Sequence, residues 1–257
     1  MLNNSGEAQR LHDKDVKMSK LYIDTTFDVR TDSNGKDPDS FSDTLKQYHK
    51  TLWSKELPSG NLLKLDDTQN NAYLFHKSEL GEFFLASDSI IHTYFKWKRT
   101  QHIITQIPEE EMTIFYNLAH TVGGFIIFPG NRINGGNTIN QARGMSRTIN
   151  DRIDLTLECI RRHYAHKASP LSDTITRYRD FFDLFLNFQN YCEFFLLQDL
   201  VTSDFANIRY FLPFDGFSAN QIPKSVDEYQ TYMQKNIEFL MSRNRRVSAY
   251  NTETMLI

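Results

Sequence analysis

Cysteine is scarce. Only Cys159 and Cys192 occur in 257 residues, and both sit in apolar text with helical spacing. Two such residues make no disulfide framework, so a reduced, cytosolic setting is expected. A membrane-spanning run is missing as well. The best stretch, FFDLFLNFQNYCEFFLLQDLV at 181–201, carries Asp183, Glu193 and Asp199, which excludes a lipid-facing helix and a membrane partner. The opening MLNNSGEAQRLHDKDVKMSK lacks the apolar stretch of a secretory signal, and residues 1–20 read as a mobile extension. Excess basic charge is absent too. Lys and Arg number 29 against 32 Asp and Glu, a net charge of −3. No global positive field holds nucleic acid, and any polyanion contact must come from a local patch. CxxC and HExxH are missing, and DSNGKDPD at 32–39 lacks the distal glutamate of a calcium loop. No metal is therefore expected. GxxxxGK[ST], GxGxxG and GxSxG do not occur either, which removes the named phosphate loops and the hydrolase elbow.

What is present reads as one α+β domain over 21–245, with a small mixed or antiparallel sheet from the N-terminal half and a helical C-terminal half. A strand is expected from Leu21 through Phe27, Val29 and Arg30, then a turn-rich loop at 32–40. Ser40 with Asp43 reads as a capping box for a helix bearing Leu45, Tyr48, His49 and Trp53. Short strands are expected at 61–65, 72–76 and 82–86, and a helix over part of 89–103. Pro108 and Glu109, Glu110 and Glu111 open the next helix, with Gly123 and Gly124 as stops. FIIF at 125–128 reads as a short buried strand. Helices are expected at 151–166, from Ser172 through Phe185, over 191–201, and from Ser225 to about Arg243. RYFLPF at 209–214 is strand-like, and 246–257 reads as a tail. Phenylalanine at 181–217 predicts a thick aromatic core.

The segment 129–164 holds six arginines and no lysine. Glu158 stands three before Arg161 and four before Arg162, which is ion-pair spacing on a helix. Arg132, Arg143 and Arg147 differ, because no acid occurs between 129 and 150. Their neighbours Gly130, Asn131, Gly135, Gly136 and Asn137 can expose backbone N–H groups. Planar guanidinium forks beside such donors suit a phosphate or carboxylate. Arg30, Arg152 and Arg162 extend this anion-binding set. The alternative is that acids elsewhere in the fold pair with these arginines.

Two further constellations bear on chemistry. Arg161 and His166 have the Arg-x4–6-His spacing of an all-helical class of ribonucleases, and His163 stands beside them. A cation on the scissile phosphate and an imidazole acid would give metal-independent RNA cleavage. A helix-end histidine favoured by the dipole is the plainer alternative. LGEFFLASDSI at 80–90 sets two aromatics before Ser87, Asp88 and Ser89, and is similar to the aromatic strand and serine motif of ADP-ribosyltransferase folds. That likeness implies NAD as co-substrate, Arg30 and the loop arginines on phosphates, Ser87 orienting the ribose, and Glu158 stabilising an oxocarbenium-like state. Glu158 departs from the pattern by lying on a helix instead of a strand. For Ser87–Ser89 a helix N-cap is the alternative.

The stretches FDVRTDSNGKDPDSFSDTLKQYHKTLWSKELPSG, HKSELGEFFLASDSII, FPGNRINGGNTINQARG, DRIDLTLECIRRHY and NYCEFFLLQDLV resemble a bacterial family of unknown function over roughly 22–245. The resemblance implies a cytosolic bacterial protein. Compact proteins of this kind are associated with toxin or phage-defence roles, where an inhibitory protein partner restrains the activity. The expectations are thus an NAD-using ADP-ribosyltransferase acting on nucleic acid or protein, a ribonuclease using His163, or a non-catalytic module that docks nucleic acid or an acidic partner.

Overall fold

A computed structural model describes residues 21–68 and 73–255; the expected extension at 1–20 lies outside them. The elements run α1 (Pro38–Phe41), α2 (Asp43–Trp53), β1 (Lys55–Glu56), β2 (Leu62–Leu63), β3 (Asp66–Asp67), β4 (Leu74–Ser78), β5 (Gly81–Ser89), α3 (Gln101–Ile104), α4 (Glu109–Ala119) and β6 (Phe125–Pro129). There follow α5 (Ile139–Met145), α6 (Ile153–Tyr164), α7 (Ser172–Arg177), α8 (Arg179–Asp183), α9 (Phe188–Phe194) and α10 (Val226–Met255). β1 and β2 form one antiparallel pair. β3, β4, β5 and β6 form an antiparallel sheet in that order. The fold is α+β, with its sheets in the N-terminal half and helices dominating the rest.

The expected strand at 21–30 is a series of turns instead. Asp24 accepts from the Thr26 N–H (2.8 Å) and Asp28 from the Arg30 N–H (2.9 Å). Aspartates that bond the backbone two residues on compete with a ladder. Ile23 still gains a strand-like pair of bonds, because the Asn251 side chain accepts from its N–H and donates to its carbonyl. Ser42, not Ser40, caps α2 and accepts from the Leu45 N–H. Of the helix expected over part of 89–103, only α3 at its end is helical, and residues 90–100 are not. Tyr94 turns left-handed (φ 55°), and the Thr93 and His92 carbonyls accept from the Tyr229 and Tyr232 hydroxyls of α10.

The helical half shows the same competition. The expected helix from Ser172 breaks at Tyr178 into α7 and α8. The one expected over 191–201 begins earlier, capped by Asn187, and ends at Phe194. RYFLPF forms no strand. The Phe211 N–H is taken by Asp154 (2.9 Å), and Pro213 offers no N–H. α10 runs past Arg243 to Met255, so the expected tail is helical through that residue. The aromatic core appears as expected. Phe181, Phe182, Phe185, Tyr191 and Phe195 are buried together and reach Trp53, whose ring centroid lies 5.2 Å from that of Phe195.

Candidate functional site beside the glycine-rich loop

β5 alternates its side chains between two environments. Phe84 and Ala86 face a cavity of about 640 Å³ roofed by the loop that follows β6. Leu85 and Ser87 face α2 on the opposite side. The cavity floor is aromatic: Phe84 is exposed, packs 4.7 Å from Phe75, and is joined by Tyr73. The close approach of Tyr73 requires Gly130, because a Cβ there would lie 2.6 Å from its ring and 2.8 Å from Ala86. Asn131, Arg132, Thr138, Asn140 and Gln141 add polar groups.

The loop is anchored from the helical half. The Tyr178 hydroxyl donates to the Asn131 carbonyl (2.8 Å), and Arg177 donates to that of Asn137 (2.8 Å). Gly136 leaves room for the Arg177 guanidinium, which a Cβ would meet at 2.6 Å. Thr138 and Gln141 form a reciprocal capping box that starts α5. These bonds fix the cavity wall before any ligand arrives.

Behind α5 lies a buried ionic cluster. Arg143 is fully buried and donates to Asp88, to the Ser89 and Asp151 carbonyls, and to Thr156. The Asp151 carboxylate lies 3.4 Å from the same guanidinium. The expectation that Arg143 lacks an acid therefore fails. Its partners are supplied by β5 and by the turn before α6. Asp39 reaches this cluster from α1 and accepts from the Ser89 N–H (3.3 Å). Burial, with Asp88 and Asp37 nearby, pushes its carboxyl up to about 8.

Two polar groups at the cavity remain unspent. Arg132 is exposed at the rim and has no carboxylate partner among the described residues. Asn140 donates weakly to the Ser87 carbonyl (3.4 Å), while its own oxygen is buried without a partner among the described residues. A buried amide oxygen left unpaired is costly.

The model of the family of unknown function DUF6994 matches residues 23–247. The chain belongs to that family. No curated protein and no solved structure matches it. In this DUF6994 member the residues expected to act together lie apart. Ser87 faces α2, where His49 Nε2 is 3.0 Å from its hydroxyl. That pair resembles a nucleophile and its base, but Trp53 fixes the wrong tautomer. The indole N–H can only donate, and it lies 2.9 Å from His49 Nδ1. The imidazole proton must therefore sit on Nε2, which donates to Ser87 and cannot accept its proton.

Glu158 is buried and bonded to Arg161 (2.7 and 3.0 Å) and Arg162 (2.7 Å). Burial opposes its ionisation, but the two guanidiniums outweigh it and hold the carboxyl below its usual range. Arg162 also stacks on Phe217 (4.9 Å). Arg152 is buried against Asp154 and donates to the Gln221 carbonyl. Arg30 pairs with Asp28 and Asn117 and lies over Tyr116. The contacts of Arg30, Ser87 and Glu158 do not overlap. His163 lines a different cavity, with His166. Arg147 is exposed in the turn after α5. Phe84, Tyr73 and Asn140 were not among the expected site residues. The period-2 alternation of 83–87 could have flagged the first.

Proposed function

We propose that the cavity beside loop 129–138 binds a phosphate-bearing ligand of the nucleotide class. In this reading the base lies against Phe84 and Tyr73, and Arg132 holds phosphate. The carrying observation is the unpaired guanidinium of Arg132 at the rim of an aromatic-floored cavity. Stacking on exposed rings is tolerant of base identity, while a free arginine fork supplies bidentate phosphate bonds. NAD is one ligand within this class. The transfer chemistry attached to it in the sequence reading needs a carboxylate at the ribose, and Glu158 is committed to two arginines. Binding is therefore the activity proposed, and no bond-breaking step is assigned.

The test is isothermal titration of the purified chain with ADP, NAD and adenosine. ADP and NAD are expected to bind saturably, and adenosine more weakly. Loss of a charge-assisted bond costs about 1.5–3 kcal/mol, so Arg132→Gln should weaken ADP roughly ten- to hundredfold. Equal binding of adenosine and ADP, or no binding of any of the three, overturns the reading.

A further inference from the structure

A second cavity, of about 830 Å³, lies where α6 ends against α7 and α8. Its wall includes His163, His166, Lys167 and Arg179, with Asp183 as its one acid. The imidazoles of His163 and His166 and the Lys167 ammonium make no hydrogen bond among the described residues. Arg179 approaches Asp180 and Asp183 only at 3.7 and 3.9 Å. Four groups able to carry positive charge therefore converge on one opening with weak internal pairing.

Backbone geometry adds an independent observation. α6 closes with the His166 N–H donating to His163 and the Lys167 N–H to Arg162. In that closure His166 sits at φ 53°, a position where glycine is the usual occupant. Leu186, on the same cavity, sits at φ 65° and is 62% exposed. Left-handed backbone is costly for a bulky residue, and such outliers concentrate at ligand sites. Here both strained positions place side chains at the cavity instead of the glycine that would relieve them.

We infer that this cavity is an anion site for a phosphate or phosphodiester group, held by His163, His166, Lys167 and Arg179 and occupied most tightly at acidic pH. With both histidines neutral the wall carries one net positive charge; with both protonated it carries three. Burial beside Phe182 and Tyr164 pushes the His163 imidazole down; Asp183 opposes this, while His166 and Arg179 reinforce it. An empty cavity thus disfavours the charged imidazole of His163, and a bound anion favours it. The site is separate from the nucleotide cavity. Ser172 and Thr176 of α7 face the anion cavity, whereas Arg177 of the same helix holds loop 129–138.

The test follows the histidine Cε1–H resonances by NMR while sulfate, inorganic phosphate or a short single-stranded RNA is added. Sulfate keeps its charge across the range, so its pH dependence reports the protein. Saturable shifts of His163 and His166 are expected, with sulfate affinity falling about tenfold between about pH 5.5 and about pH 8. Lys167→Gln, at an exposed position, should weaken sulfate several-fold without changing the melting temperature. Arg132→Gln should leave it unchanged, which separates this site from the nucleotide cavity. Saturable shifts with RNA at lower concentration than with inorganic phosphate identify a phosphodiester as the source; the reverse order identifies free phosphate. Linear, non-saturating shifts with all three probes, or unaltered sulfate binding in Lys167→Gln, overturn the inference.

Discussion

His49 and Asp39 line one pocket beside β5 and respond oppositely to pH. His49 is held neutral by burial, its pKa pushed from 6.5 to about 3. Its contribution to stability is complete above 6.5 and is lost as pH falls below that value. Asp39 is raised from 3.8 to about 8, so it stays protonated in the fold while the unfolded chain ionises. One oxygen is buried without a partner among the described residues, which agrees with the neutral form. Between about pH 4 and about pH 6.5 the two groups oppose each other, and above about pH 6.5 the fold should lose stability up to about pH 8. Asp39→Asn keeps an acceptor for the Ser89 N–H and should reduce the decline between about pH 6.5 and about pH 8 in urea unfolding. An unchanged slope would contradict the assignment. At this scale the sequence was least legible. Arg143 looked unpaired because its acid Asp88 lies 55 positions away on β5. The pairing of Glu158 with Arg161 and Arg162 was legible because three- and four-residue spacing is local.

The elements that shape the nucleotide cavity depend on loop chemistry. Thr138 starts α5 through its capping box, and Thr138→Ala should cost about 1 kcal/mol of folding stability. A loss below about 0.3 kcal/mol would mean the box contributes little. Gly136→Ala tests the anchoring of the loop. The added Cβ displaces the Arg177 guanidinium, a movable group, so stability should change by less than about 1 kcal/mol. Backbone amides at 130–138 should nevertheless exchange faster with deuterium; unaltered exchange would show that Arg177 does not hold the loop. α2, α4 and α6 were legible because acidic first turns and apolar periodicity agree, although the cap of α2 falls at Ser42. α5 was not, since it spans seven residues with Gly144 inside and its flanks read as loop. The turns at 21–30 were misread because Val29 and Phe27 suggest a strand, while Asp24 and Asp28 decide the backbone.

Across the whole molecule α10 is the tie between halves. Arg243 is fully buried, has no carboxylate partner among the described residues, and donates to the Gly123, Phe125 and Phe195 carbonyls. Burial pushes its guanidinium down to about 9. Arg243→Met would leave three buried carbonyls short of a donor, and a loss of about 3 kcal/mol or more is expected in chemical unfolding. Asn244 pairs with the Gly123 N–H and Thr121, and Arg246 with Asp199. The end of this helix is structural where the sequence suggested a tail, because its polar residues find partners remote in sequence. The same frame presents the cavity floor from β5 and its roof from the loop after β6, and leaves Arg132 free at the rim. ADP titration of the wild type against Arg132→Gln measures that arrangement most directly. Saturable binding is expected that falls about tenfold or more in the variant at unchanged melting temperature. Indistinguishable affinities in the two proteins would contradict it.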